Sequence, residues 1–135
     1  MDTLLLQLGI LLFLIGLLTG FVIPKLANPR MGLASHLEGV LNGIFLVALG
    51  LLWQRLNLSN NWLLITFWLA IYGTFANWLA TLLAAIWGAG SLMPIAAMGR
   101  QGSLRQEGVI RFLLSTLSVS MIAVCVIVIL GLRAG

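Results

Sequence analysis

The chain has 135 residues, of which 61% are hydrophobic and only 7% charged, whereas soluble domains carry about a quarter charged residues. That composition excludes an ordinary water-soluble domain, and the length fits a single one. Seven basic residues give a net charge of +4, but they are scattered and mostly flank apolar runs, as in membrane proteins, so no nucleic-acid surface is expected. The single cysteine, Cys125, excludes an intrachain disulfide and a CxxC metal motif. Set in an apolar stretch, it reads as a small packing residue.

The first apolar run, residues 3–23, ends at Pro24. It follows Met1-Asp2 with no basic leader and no small-residue cleavage pattern, so it is expected to remain as a membrane span. Gly16 and Gly20 within it match the small-xxx-small spacing that lets helices approach closely. Residues 24–30 hold two prolines and two cations and read as a loop. The second span is placed at residues 34–53, with Ser35 as its N-cap. A polar turn follows, bracketed by Trp53 and Trp62 as interfacial aromatics. The third span, residues 62–87, carries Tyr72, Thr74, Asn77, Trp78 and Thr81 in its middle. Residues 88–106 form the longest connection, glycine-rich yet apolar from Leu92 to Met98. That pattern predicts a re-entrant or interfacial lid covered by protein. The fourth span covers residues 108–132 and is closed by Arg133; Ser115, Ser118, Met121 and Cys125 read as its packing face. The predicted fold class is all-α: one domain, residues 1–135, forming an integral membrane bundle of four transmembrane helices with antiparallel neighbours. Lys25, Arg30, Arg100 and Arg105 bias the first and third loops to the cytoplasm and both termini outside.

The second span holds the only histidine, His36, and one of three acidic residues, Glu38, followed by Asn42. Ionisable groups entering a bilayer are costly and are functional candidates by default. The competing reading makes His36 and Glu38 interfacial capping residues, acids being favoured in a first helical turn. At 100° per residue, Gly39, Val40 and Gly43 share a face with His36, whereas Glu38 and Asn42 share another. His36 and Asn42 are about 9 Å apart along the axis, which suits a flat, wide ligand between helices better than a compact pocket. Gly39 and Gly43 either clear room for that ligand or pack against a neighbouring helix. Thr74, Asn77, Trp78 and Thr81 follow the spacing of one helical face, which also reads as a hydrogen-bonding stripe between helices. A zinc site needs three or four ligands, but one histidine suffices as the axial ligand of a haem and leaves the other iron position open. Glu38 has three candidate roles: pairing with Arg30, pairing with Arg111, or anchoring a haem propionate through a cation.

Leu17-Leu18-Thr19-Gly20, Asn28-Pro29-Arg30, His36-Leu37-Glu38-Gly39 with Asn42-Gly43, and Tyr72-Gly73-Thr74 leading to Asn77-Trp78 closely resemble the bacterial hydroxylaminobenzene mutases. More distantly the chain is similar to the styrene oxide isomerases, small four-span membrane enzymes. They share a histidine followed six residues later by Asn-Gly, as in His36 and Asn42-Gly43, and an Ala-Asn pair on the third span, as in Ala76-Asn77. The resemblance implies an isomerase of the bacterial cytoplasmic membrane that rearranges hydroxylaminobenzene to 2-aminophenol in nitroarene degradation. It also implies haem b ligated by His36 with Glu38, Gly39 and Gly43 around it, and a homotrimer with the haem between protomers. Asn42, Asn77 and Thr81 would contact an aromatic hydroxylamine whose N–O bond the iron polarises as a Lewis acid. Thr81 stands where the isomerases carry a tyrosine, a departure that fits a change of substrate from epoxide to hydroxylamine. Three alternatives stay open: an epoxide isomerase, a small four-helix multidrug transporter, and a non-catalytic membrane subunit.

Overall fold

The computed structural model describes residues 1–133; residues 134 and 135, the end of the predicted domain, lie outside the described residues. Helices α1 (Asp2–Val22), α2 (Pro29–Leu52) and α3 (Asn60–Trp87) are followed by a single turn, α4 (Pro94–Ala97), and by α5 (Leu104–Arg133). No strand forms among the described residues. The four long helices are each long and apolar enough to cross a membrane, so the chain is an all-α membrane bundle of four helices. Short connections make successive long helices antiparallel: Gln54 of the second connection donates to Asp2 at 2.6 Å, and the amide of Asn57 donates to the carbonyl of Gly131 at 3.1 Å.

Two helices begin earlier than the hydropathy suggests, because their caps lie outside the apolar runs. Asn28, not Ser35, is the N-cap of α2: its side chain accepts from the Met31 amide at 3.2 Å, with Pro29 at the first helical position, where its missing N–H costs nothing. At the start of α5, Ser103 Oγ accepts from the Gln106 amide at 3.2 Å and Gln106 Oε1 accepts from the Ser103 amide at 2.9 Å. That is a capping box, satisfying two donors reciprocally.

The long helices pack in the order α1, α2, α3, α5, and α1 and α5 leave more of their length uncovered than the two between them. The α1–α2 contact is built on glycine. A Cβ on Gly39 would stand 2.5 Å from Gly16 Cα, one on Gly16 would stand 2.6 Å from the Val40 nitrogen, and one on Gly43 would stand 2.6 Å from the Phe13 nitrogen. Gly9 closes the row against Gly43 and Val47. Of the two readings open for Gly39 and Gly43, the packing one matches the structure: the backbone of α1 lies against both.

Three surface expectations are also revised. Trp62 is exposed, but Trp53 is buried, with its ring edge-on to Phe67 at 6.2 Å. The packing face of α5 is Ile110, Leu117, Ser120, Val124 and Gly131, and Ser115 and Ser118 lie exposed. Of the expected face Met121 alone has a partner that demands it, its sulfur lying where a Cβ on Gly73 would be 2.5 Å away. Cys125 is exposed and lines an apolar groove of about 220 Å3 between α2 and α5, with Phe45, Leu49 and Val128.

Residues 88–103 do fold back over the bundle. Gly88 ends α3 in the left-handed region at φ 63°, as glycine does readily after a helix. Asn28 Nδ2 then donates to the carbonyls of Ala96 and Ala97 at 2.9 and 3.4 Å, and Arg100 donates to Ala27 O at 2.6 Å. The Glu107 carboxylate gathers the amides of Gly90, Ser91 and Gly102 and the Ser91 hydroxyl, all at 2.9–3.0 Å. These bonds tie the strap to α2 and α5, while Ile95 and Met98 point outward, exposed.

Gly39→Val is expected to lower the detergent melting temperature by an amount equivalent to the roughly 1–3 kcal/mol of overpacking, or more. Gly108→Ala, where an added Cβ meets nothing within 4 Å, serves as the control in the same melt and is expected to leave the melting temperature unchanged or raise it.

Candidate functional site

The conspicuous polar residues of α2 are held by two different neighbours. His36 turns to α1: its Nδ1 lies 2.8 Å from the carbonyl oxygen of Gly16. A carbonyl only accepts, so Nδ1 carries the hydrogen of this bond and Nε2 is not engaged in it. The ring fits there because Gly20 has no side chain; a Cβ on Gly20 would stand 3.1 Å from Nδ1 and 3.3 Å from Cε1. His36 is half-buried, and among the described residues no side chain bonds its Nε2. This is the arrangement in which a metal-ligating imidazole is normally found, one ring nitrogen fixed on a carbonyl and the other free. No three His, Cys, Asp or Glu side chains gather among the described residues to hold an ion.

Glu38 turns to α3, and Asn42 bonds Glu38 within α2. Asn42 Nδ2 donates to the backbone carbonyl of Glu38 at 2.8 Å and to Glu38 Oε2 at 3.0 Å. Asn77 Nδ2 reaches across from α3 to the same Oε2 at 2.7 Å. Glu38 forms no ion pair with Arg30 or Arg111 among the described residues. It also lies ten residues past the Asn28 cap, beyond the first turn in which a helix dipole rewards an acid.

Between the two groups lies Trp78. A Cβ on Gly39 would approach its Cδ1 to 3.0 Å, and its indole N–H donates to Thr19 Oγ1 on α1 at 3.0 Å. Ser35, expected to cap α2, is instead buried and donates to the Trp78 carbonyl at 3.2 Å. The expected face of Thr74, Asn77, Trp78 and Thr81 therefore divides. Asn77 and Trp78 reach other helices, but Thr74 and Thr81 are buried, and their hydroxyls donate to carbonyls of their own helix. Thr81, expected as a substrate contact, is not brought into the Glu38 cluster. Conversely, the Gly16 carbonyl, Gly20 and Thr19 were missed as site residues. The Gly16–Gly20 spacing is visible in the sequence, but it reads as helix packing until the register against His36 is known.

Trp78→Phe removes the indole donor and is expected to cost about 1 kcal/mol in detergent unfolding. Thr19→Val should cost a similar amount, and the double variant less than the sum of the two.

The family model described as styrene oxide isomerase matches residues 1–133. Hydroxylaminobenzene mutase HabB of Ectopseudomonas oleovorans is 61% identical over 131 residues, 96% of this chain and 80% of that relative. Hydroxylaminobenzene mutase HabA of the same organism is 50% identical over 133 residues, 98% of each. No solved structure matches the chain. The match runs through every helix that supplies His36, Glu38, Asn42 and Asn77, so the chain belongs to the styrene oxide isomerase family.

Proposed function

We propose that this chain is a hydroxylaminobenzene mutase: an isomerase that moves the hydroxyl group of hydroxylaminobenzene from nitrogen to the ortho ring carbon, giving 2-aminophenol. The observation that carries this reading is the 61% identity to a relative of that name over 96% of the chain. The reaction exchanges OH on nitrogen for H on carbon within one molecule, so it consumes no external oxidant or reductant.

The uncommitted Nε2 of His36 would be the group to hold a haem b. Such a haem would supply an iron that acts as a Lewis acid on the N–O bond. His36 itself contributes a fixed orientation, since its Nδ1–H is committed to Gly16 O. Asn42 and Asn77 are neutral amides, able to orient a substrate without trapping the positive character that develops on nitrogen and ring.

Placement of the two groups supports a site shared between copies. His36 is held on α1, whereas Glu38 bonds Asn77 of α3 and Asn42 bonds Glu38 within α2, so one copy would offer its histidine to one site and its carboxamides to the next. A head-to-tail contact of this kind closes into a ring, here a homotrimer in the bacterial cytoplasmic membrane with the Lys25 and Arg100 end inside.

Purified protein is expected to show a haem absorption band that His36→Ala loses together with turnover; full turnover without the band would remove haem from the reading. Co-assembled His36→Ala and Asn42→Ala protomers, each inactive alone, are expected to recover part of the activity. Mixtures as inactive as either parent would place each site within one copy. Assaying styrene oxide beside hydroxylaminobenzene separates the two activities named in the family.

A further inference from the structure

We infer that Glu38 is a positioning residue that turns Asn42 and Asn77 into hydrogen-bond acceptors for a substrate bearing N–H and O–H groups. The inference rests on the mutase reading above and adds the means of substrate selection.

A carboxamide carries two donor hydrogens and one acceptor oxygen. Asn42 spends both hydrogens within its own turn, on the Glu38 carbonyl at 2.8 Å and on Glu38 Oε2 at 3.0 Å. Because a backbone carbonyl only accepts, the nitrogen of Asn42 must face it and the amide cannot be flipped. The one group Asn42 has left is Oδ1. Asn77 spends one hydrogen on the same Oε2 at 2.7 Å and retains its oxygen and one N–H. Glu38 thus leaves two acceptors and a single donor at the α2–α3 seam. No cation pairs with the carboxylate among the described residues, which leaves these two amides as its partners.

Hydroxylaminobenzene brings an N–H and an O–H to those acceptors, whereas an epoxide has no such hydrogen and could use only the remaining Asn77 donor. A site built to bond a substrate's OH or NH discriminates strongly against an analogue that lacks it, because its own polar groups are then left unpaired. Without the carboxylate Asn77 is free to turn its nitrogen outward, and Asn42, still held by the Glu38 carbonyl, regains a free N–H, so the acceptor bias is lost.

The test measures binding to the full-length protein in membranes, by competition between hydroxylaminobenzene and its N,O-dimethyl analogue, which has the same ring and no donor hydrogens. Wild type is expected to prefer the donor-bearing ligand by at least about tenfold. Glu38→Leu is expected to reduce the preference to about twofold or less, with the melting temperature recorded to establish folding. Glu38→Gln, whose side-chain oxygen still accepts from both asparagines, is expected to keep it. Should Glu38→Leu not assemble, Glu38→Ala takes its place. A preference unchanged in the Leu or Ala variant, or lost equally in Glu38→Gln, overturns the inference. Wild type that turns over hydroxylaminobenzene without any preference overturns this inference alone. Wild type that shows the preference but no turnover overturns the mutase reading instead, and wild type that binds neither ligand overturns both.

Discussion

The close approach of α1 to α2 is the constraint on which the site depends. Lipid chains are as apolar as leucine, so membrane helices associate through van der Waals fit rather than through expulsion from water. Here the fit is backbone against backbone, Gly16 against Gly39 and Gly9 against Gly43. At that separation the imidazole of His36 reaches the Gly16 carbonyl. Any side chain at Gly16 or Gly39 would separate the helices and take that hydrogen bond with it. The same contact governs Trp78, which lies against Gly39 and reaches past it to Thr19 on α1. One backbone contact thus sets the histidine's orientation and registers α3 against the first two helices.

Polar side chains inside the bundle are used in two ways. The hydroxyls of Thr19, Thr66, Thr74 and Thr81 donate to carbonyls of their own helices, which satisfies them without any partner helix. Ser35, His36, Asn77 and Trp78 instead bond across helices, all on the half of the bundle near the first and third connections. No buried side-chain nitrogen or oxygen lacks a partner among the described residues. Interhelical hydrogen bonds in membranes are worth only about 0.6–2 kcal/mol each. Their effect is therefore felt less in stability than in which atoms are left over: Nε2 of His36 and Oδ1 of Asn42.

The end of the bundle nearest the site is organised by two residues that hydropathy ignores. Asn28 caps α2, donates to the α4 carbonyls, and accepts nothing from lipid because it is fully enclosed. Glu107 draws the glycine-rich connection onto the first turn of α5 through four donors. Together they hold α4 over the N-terminus of α2, so the turn that precedes His36 begins from a fixed point.

The sequence by itself determined the number of spans, the all-α class and the division of α2 into two faces, because apolar length and a 100° step need no partner to be read. It also marked His36, Glu38, Asn42 and Asn77, since ionisable and amide groups are rare in a chain this apolar. Hydropathy misplaced the starts of α2 and α5, where polar caps such as Asn28 and Ser103 extend a helix beyond its apolar run. It also left undecided whether Gly39 faced a ligand or a helix, and it misread Thr81 as facing outward and Trp53 as interfacial, where the structure turns the first to its own backbone and buries the second. Those choices belong to the tertiary structure. In a soluble helix the polar face tells inside from outside, but a helix between lipid and protein is apolar all round, so its rotation is set only by the glycines and knobs of its neighbours.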